Sequence, residues 1–231
     1  GADAETEALS YQAPDMILEP DADTICVVPW YREPTAQVIC DCTDRSGKPS
    51  ALAPRQILKE VLQKYREKSW RPVVAPELEF YLAQKNIDPD YPLLPPAGKS
   101  GRPQTGRQAY AIDAVNEFDP MFEDVYDYCE AQEIGIDSLI HEEGVAQCEI
   151  NFYHGDPLQL ADQTFLFKRT VRQAALRHDI YATFMAKPYE QEPGSAMHIH
   201  QSIVDHRTGK NLFANKNGKD TRLFLAYIAG L

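Results

Sequence analysis

The sequence predicts a mixed fold of strands and helices, α/β or α+β. Three observations carry this expectation. Strand-forming segments alternate with helical ones along the chain, 43 % of its 231 residues are hydrophobic, and no internal repeat or low-complexity tract interrupts the pattern. That apolar content is enough for a sizeable core, and the length suits one large domain or two small ones.

The elements follow in order. Thr24–Val28 and Thr35–Thr43 are rich in strand formers, and Ser46-Gly47-Lys48-Pro49 marks a turn. Pro54 opens a helix, with Ile57, Leu58, Val61, Leu62 and Tyr65 at helical spacing. Val73–Gln84 reads as a strand. Lys85–Ala109, dotted with Pro, Gly and Arg, is too long for a simple connection and is expected to be a functional loop. Asp119-Pro120 starts a second helix and Val145–His154 forms a strand. Asp156-Pro157 begins a third helix, with Gln159 at the third helical position as in a capping box. Met197–Val204 is a further strand. Asp220–Leu231 reads as a helix with Asp220 as N-cap, Gly230 near its end and an apolar face of Leu223, Phe224, Tyr227 and Ile228. Gly1–Ala13 is polar and acidic without an initiator Met. Both ends are expected to be cut from a longer chain, with more chain or another subunit covering the last helix.

Charge narrows the function. Twenty-three basic residues against thirty-five acidic ones give 23 − 35 = −12, a surface that repels phosphate backbones and anionic lipid, so neither nucleic acid nor membrane is an expected partner. No apolar run approaches the roughly 18 to 20 residues of a membrane helix, and no secretory leader opens the chain. Cys26, Cys40, Cys42, Cys129 and Cys148 are odd in number and scattered, and Cys40 and Cys42 lack a second pair at zinc-site spacing. They read as reduced thiols of a cytoplasmic protein.

Several familiar motifs fail. Gly98-Lys99-Ser100 would end a P-loop, but Leu93 stands where the first Gly is needed. No G-x-G-x-x-G follows a strand, no G-x-S-x-G is present, and His141-Glu142 meets Val145 where H-E-x-x-H requires its second His.

Three segments survive. In Glu77-Leu78-Glu79-Phe80 the two carboxylates share one strand face, with Cα atoms roughly 6.6 Å apart at twice a rise of about 3.3 Å. In Glu142–Glu149, running on to Tyr153, Glu149 shares a face with Gln147, Asn151 and Tyr153, while Cys148, Ile150 and Phe152 point the other way. In Gly194-Ser195-Ala196-Met197-His198-Ile199-His200, the two His share a face and Met197 and Ile199 lie behind it. A solvated strand face, a structural salt bridge or a hydrogen-bonded core His would each explain one segment alone. Carboxylates flanked by Val73, Val74, Phe80, Tyr81 and Leu82 require a cation, and a Glu-rich set with one His suits Mg²⁺ or Mn²⁺ better than zinc.

Together with Phe184-Met185-Ala186-Lys187-Pro188, these segments, in this order and spacing, resemble the glutamine synthetase family and its γ-glutamylpolyamine synthetase relatives. The resemblance implies an α+β architecture: a small N-terminal β-grasp domain, of which residues 1–50 would be the C-terminal remnant, and a catalytic domain with a curved antiparallel sheet and flanking helices, of which residues 51–231 would be the first half. It implies a double-ring homo-oligomer with active sites at subunit boundaries. One metal would be held by Glu79, Glu142 and Glu149, and a second by Glu77, His198 and a Glu beyond Leu231. His200 would contact phosphate and Ser202 the nucleotide. Gly194 would contact glutamate, Tyr110 would belong to the ammonium pocket, and Glu142 would also take the amine's proton. The implied reaction uses ATP, with Mg²⁺ or Mn²⁺, to join glutamate to an amine or to ammonium through a γ-glutamyl phosphate.

The chain covers about half of the family's length, so the parent rather than this segment is expected to be active. It also departs from the family at one loop. The ammonia-using enzymes have Asn-Gly-Ser-Gly-Met-His, whereas here the segment is Pro193-Gly194-Ser195-Ala196-Met197-His198. The lost Asn amide, together with Glu149–His154, tilts the expectation towards a bulkier, putrescine-like amine. Ammonia is the alternative within the class, and a catalytically silent oligomer subunit the alternative outside it, although a silent scaffold needs no metal cage.

Overall fold

The computed structural model describes residues 15–86, 88 and 90–231, and the acidic opening segment Gly1–Ala13 lies outside the described residues. Four short strands come first: β1 (Ile17–Pro20), β2 (Cys26–Val27), β3 (Ala36–Gln37) and β4 (Cys40–Thr43). They pair antiparallel as β1–β4 and β2–β3. The expected strand at Thr24–Val28 is shorter than its composition suggests, because Asp21 caps a 3-10 turn over Ala22–Thr24. Thr35–Thr43 is broken in two because Ile39 bonds that turn instead of a strand: its N–H donates to Thr24 Oγ1 at 2.9 Å and its carbonyl accepts from the Asp21 N–H at 2.9 Å. The Asp44 carboxylate closes the next turn by accepting from the N–H groups of Ser46 and Lys48, with Gly47 at φ +80°.

Helix α1 (Pro54–Glu67) starts on Pro54 as predicted. Its second residue, Arg55, ties three parts of the chain together through Asp21 at 2.6 Å, Asp41 at 2.7 Å and Asp162 at 3.0 Å. The long strand β5 (Trp70–Gln84) follows, then α2 (Ile112–Asn116), α3 (Asp119–Ala131), β6 (Ile136–His141), β7 (Gln147–Phe152), α4 (Pro157–Arg177), β8 (Ile180–Thr183), β9 (Met197–Asp205) and α5 (Arg222–Ile228). Asp156 caps α4, its carboxylate accepting from the N–H groups of Leu158 and Gln159. Asp220 does not cap α5. It pairs with Ala214, and the Thr221 hydroxyl caps the helix by accepting from the Phe224 N–H.

Strands β5 to β9 make one antiparallel sheet in which β5 is shared: β7 lies along one edge, with β6 outside it, while β8 and β9 occupy successive stretches of the other edge. Period-two alternation along β5 and β7 sends Leu78, Phe80, Leu82, Cys148, Ile150 and Phe152 into a core with Phe122 and Val125 of α3 and Phe167 and Val171 of α4. Helices therefore cover one face of an antiparallel sheet, the α+β arrangement. The opposite face carries the acidic residues. Among the described residues no helix is long and apolar enough to cross a membrane, and all five cysteines are unpaired.

Candidate active site

The register of three strands assembles the site. Glu77 of β5 stands opposite Asn151 of β7 on one side and His198 of β9 on the other, and Glu79 stands opposite Glu149. Directly paired residues share a face, so these side chains all point away from the helices. His198 Nδ1 lies 3.3 Å from one Glu77 oxygen, and His200 Nε2 lies 2.7 Å from the other. One donor atom each from Glu77, Glu149 and His198 fall within 4.8 Å of one another. Two carboxylate oxygens and an imidazole nitrogen at that mutual distance fit a divalent cation, and the oxygen majority fits Mg²⁺ or Mn²⁺.

Glu79 is held differently. Its Oε2 accepts from Gln147 Nε2 at 2.9 Å and from the Ala196 N–H at 3.0 Å. Asn151 Nδ2 donates to Glu149 Oε1 at 3.2 Å and to Ser138 Oγ at 3.1 Å. Glu149 is buried among these neighbours while His198 and His200 remain exposed. Burial pushes the Glu149 carboxyl above its ordinary range, the surrounding Glu77, Glu142 and Glu79 charges push the same way, and the Asn151 bond opposes them. Burial also raises Glu142, and the Glu79 charge adds to it. A face on which carboxylates resist ionising together is one that a cation relieves.

Two loops flank this face. Residues 142–147 return from β6 to β7 through Ala146, which sits at φ +55° with its side chain fully buried. The buried Gln104 holds that turn. Its Oε1 accepts from the Ala146 N–H at 2.9 Å and lies 2.8 Å from His141 Nε2, while its Nε2 donates to the Ala114 carbonyl at 3.0 Å. In the second loop Gly194 approaches the backbone so closely that a Cβ would stand 2.9 Å from the Ala186 carbonyl oxygen, and the buried Tyr81 hydroxyl donates to the Pro193 carbonyl at 2.7 Å. Between the two loops and the 93–105 stretch lies a cavity of about 550 Å³ whose walls include Leu93, Leu94, Pro103, Val145 and Tyr189, with Glu192 among them. Glu192 accepts from the Val145 N–H at 3.4 Å.

The structure brings Glu77, Glu149 and His198 into one cluster. It places Glu79 beside the cluster on the same face, with Glu142 in the neighbouring loop. The single tight group therefore mixes residues that the resemblance divides between two metals. His200 and Ser202 line one groove of about 510 Å³, together with Arg71 and His154. Tyr110, largely exposed at φ +61°, donates its N–H to the His141 carbonyl at 2.9 Å. Sequence reasoning put Gln147 and Asn151 on the acidic face and assigned them no role. Gln104 and Glu192 escaped it altogether, and Tyr81 figures in it only as a buried neighbour of the carboxylates, because Tyr81 and Glu192 meet Pro193 and Val145 only across long stretches of chain.

Known proteins resemble this chain in sequence and fold. The family model described as "Glutamine synthetase, catalytic domain" matches residues 51–231. The chain is 38 % identical over 198 residues to the γ-glutamylputrescine synthetase PuuA of Escherichia coli (strain K12), covering 84 % of this chain and 42 % of that protein. It is 32 % identical over 206 residues to the glutamate–isopropylamine ligase of a Pseudomonas species, covering 87 % and 43 %. Among solved structures, ligand-free GmaS superposes on the whole of this chain and 55 % of its own, with a TM-score of 0.81 at 26 % identity. The chain thus spans less than half the length of these curated relatives. With its acidic strand face and a family match over residues 51–231, the chain belongs to the glutamine synthetase family.

Proposed function

We propose that the full-length protein carrying this chain is an ATP-dependent ligase that forms a γ-glutamyl amide from glutamate and an aliphatic amine of the putrescine type. The observation that carries the reading is the common face of β5, β7 and β9, on which Glu77, Glu79, Glu149, His198 and His200 stand in register. In this reading Glu79, Glu142 and Glu149 hold one cation, Glu77 and His198 contribute to a second, and a bound Mg²⁺ or Mn²⁺ supplies the charge neutralisation that phosphoryl transfer between two anions requires.

A γ-carboxylate oxygen of glutamate attacks the terminal phosphorus of ATP, the bond to the bridging oxygen breaks, and ADP leaves. The amine nitrogen then attacks the acyl carbon, phosphate departs with the carbon–oxygen electron pair, and the extra proton on nitrogen passes to Glu142. His200, exposed and 2.7 Å from Glu77, lines one groove with Ser202, and there it serves the nucleotide phosphates. The Gly194 loop, held by the Tyr81 hydroxyl, carries the backbone that binds glutamate.

Two observations favour a bulky amine over ammonium. The substrate loop has Pro193 and Ala196 as its distinctive residues, and the cavity against Val145 and Glu192 is far larger than ammonium needs and is mostly apolar, with a carboxylate to meet a distal ammonium group. Identity to a γ-glutamylputrescine synthetase and to a glutamate–isopropylamine ligase supports the same class. We take residues 1–50 as the end of a β-grasp domain and residues 51–231 as the first half of the catalytic domain, in a cytoplasmic homo-oligomer of double-ring form. The test is glutamate-dependent ADP release by the full-length protein with putrescine and ammonium in parallel. Preference for putrescine supports the reading. Preference for ammonium makes the protein a glutamate–ammonia ligase, and no turnover with either leaves the silent-subunit alternative.

A further inference from the structure

Gln147 is the first residue of β7 and is 1 % exposed. Its side-chain amide makes three hydrogen bonds to three different parts of the site. Nε2 donates to Glu79 Oε2 at 2.9 Å and to the Gly194 carbonyl at 3.1 Å, and Oε1 accepts from the Gly144 N–H at 2.9 Å. The orientation of this amide is fixed by its partners. A flipped amide would set an NH₂ group against the Gly144 N–H and an oxygen against a carboxylate and a carbonyl. The main chain reinforces the link: the Gln147 N–H donates to the Gly144 carbonyl at 3.1 Å, and its own carbonyl accepts from the Glu142 N–H at 2.8 Å.

One NH₂ group thus bridges the acidic face and the substrate loop. Among the described residues, both hydrogen bonds to Glu79 fall on Oε2, which leaves Oε1 for a cation. Anything that rotates or draws the Glu79 carboxylate acts on the amide, and through it on the Gly194 carbonyl. The same amide fixes the turn at Gly144, two residues beyond Glu142. In a site with almost no free volume around Gln147, the amide cannot follow one partner without disturbing the others.

We propose that Gln147 is a positioning residue that couples cation binding at Glu79 to glutamate binding at the Gly194 loop. The inference rests on the ligase reading above and deepens it. Coupling of this kind is reciprocal: the cation tightens glutamate by the same factor as glutamate tightens the cation.

The experiment is calorimetry on the full-length protein, titrating Mn²⁺ with and without glutamate and glutamate with and without Mn²⁺. In the wild type each ligand tightens the other by at least about fivefold, the lower end of ordinary allosteric coupling. Gln147→Met keeps the volume of the side chain and removes all three bonds, and it brings the factor to within twofold of unity. Gln147→Glu keeps an acceptor for the Gly144 N–H while removing the donor to Glu79 and Gly194, so it gives the same loss should the Met variant not fold. A purely structural Gln147 would lower the melting temperature of either variant and leave the coupling factor unchanged, which overturns the proposal. Wild-type protein that binds both ligands independently overturns the coupling and spares the ligase reading. Wild-type protein that binds neither overturns both.

Discussion

Glu79 and Glu149 stand directly opposite each other across the β5–β7 pair, the register position at which like charges destabilise a sheet. Each carboxylate is met by an amide, Gln147 for Glu79 and Asn151 for Glu149, and an amide donates a hydrogen bond without cancelling a charge. Metal-free protein therefore holds this face together against its own repulsion. Glu149→Gln is expected to stabilise the metal-free protein by about 1 kcal/mol, a rise in melting temperature of roughly 3 °C for a domain of this size. It should also abolish the further rise that Mn²⁺ gives the wild type. Thermal melts with and without Mn²⁺ check both, and a variant that Mn²⁺ still stabilises fully would remove Glu149 from the cation site.

The pH dependence follows from the same carboxylates. Glu142 and Glu149 bind protons more tightly in the folded chain than at the ordinary carboxyl value of 4.5. The unfolded chain therefore ionises first as pH rises, and metal-free stability falls from about that value upward through the raised folded values. A bound cation favours the ionised forms and reverses the slope. Melting temperature measured from pH 4.5 to 7.5 should fall in chelator and hold or rise in Mn²⁺. Parallel curves in the two buffers would contradict the assignment.

Gly194→Ala places a methyl group 2.9 Å from the Ala186 carbonyl, and a backbone atom cannot swing aside as a side chain can. The substrate loop must shift. We expect KM for glutamate to rise about tenfold, equivalent to roughly 1.4 kcal/mol, with the melting temperature nearly unchanged because the loop lies outside the core. Steady-state kinetics at saturating ATP and amine measure it.

The Arg55 hub lies far from the chemistry and makes a separate prediction. Its guanidinium holds Asp21 below the usual carboxylate range. Burial works to raise Asp41, but Lys59 and Arg55 together keep that carboxyl low as well. Depressed folded values mean that this stabilisation is complete above the ordinary Asp value of 3.8 and is lost as pH falls through the folded values. Arg55→Ala leaves three carboxylates facing one another and should cost about 2 kcal/mol at neutral pH, below the figure for fully buried pairs because water still reaches the Asp side chains. The loss should shrink as pH falls through that window. Urea denaturation at pH 7 and pH 3 tests it.

The cavity carries a prediction about the acceptor. Glu192→Gln keeps a side-chain oxygen to accept from the Val145 N–H and removes the charge that a distal ammonium would share with Arg107, whose Nε lies 3.7 Å from the Glu192 carboxylate. We expect KM for putrescine to rise about tenfold, the loss of one charge-assisted hydrogen bond, while KM for a monoamine of similar length changes little. Equal effects on both amines would exclude Glu192 from the distal contact.

Much of the sheet was legible in the sequence because period-two patterning states which side chains share a face, and Glu77, Glu79, Glu149, His198 and His200 lie on strands where that rule holds. Helix starts were equally plain where Pro54, Pro120 and Pro157 stand at the first turn. The misses share a cause. β1 and β8 are four residues each, the first exposed and the second half-buried, too short for a pattern to declare itself. The cap of α5 moved by one residue because Asp220 was taken up by pairing with Ala214. Which carboxylates cluster is a question of distance between strands, and no local pattern separates Glu77 with Glu149 from Glu79 with Glu149. Gln104 shows the limit most clearly, since an amide in an irregular stretch gains its meaning only when His141 and Ala146 arrive beside it.

β5 works as a ruler against which the whole site is indexed. It meets β9 and then β8 along one edge and β7 along the other, so one residue inserted before Glu77 would turn every downstream side chain to the opposite side at once. The acids would enter the core while Leu78 and Phe80 met water. Chemistry graduated on a single strand can be kept or lost, but it cannot be adjusted one mark at a time.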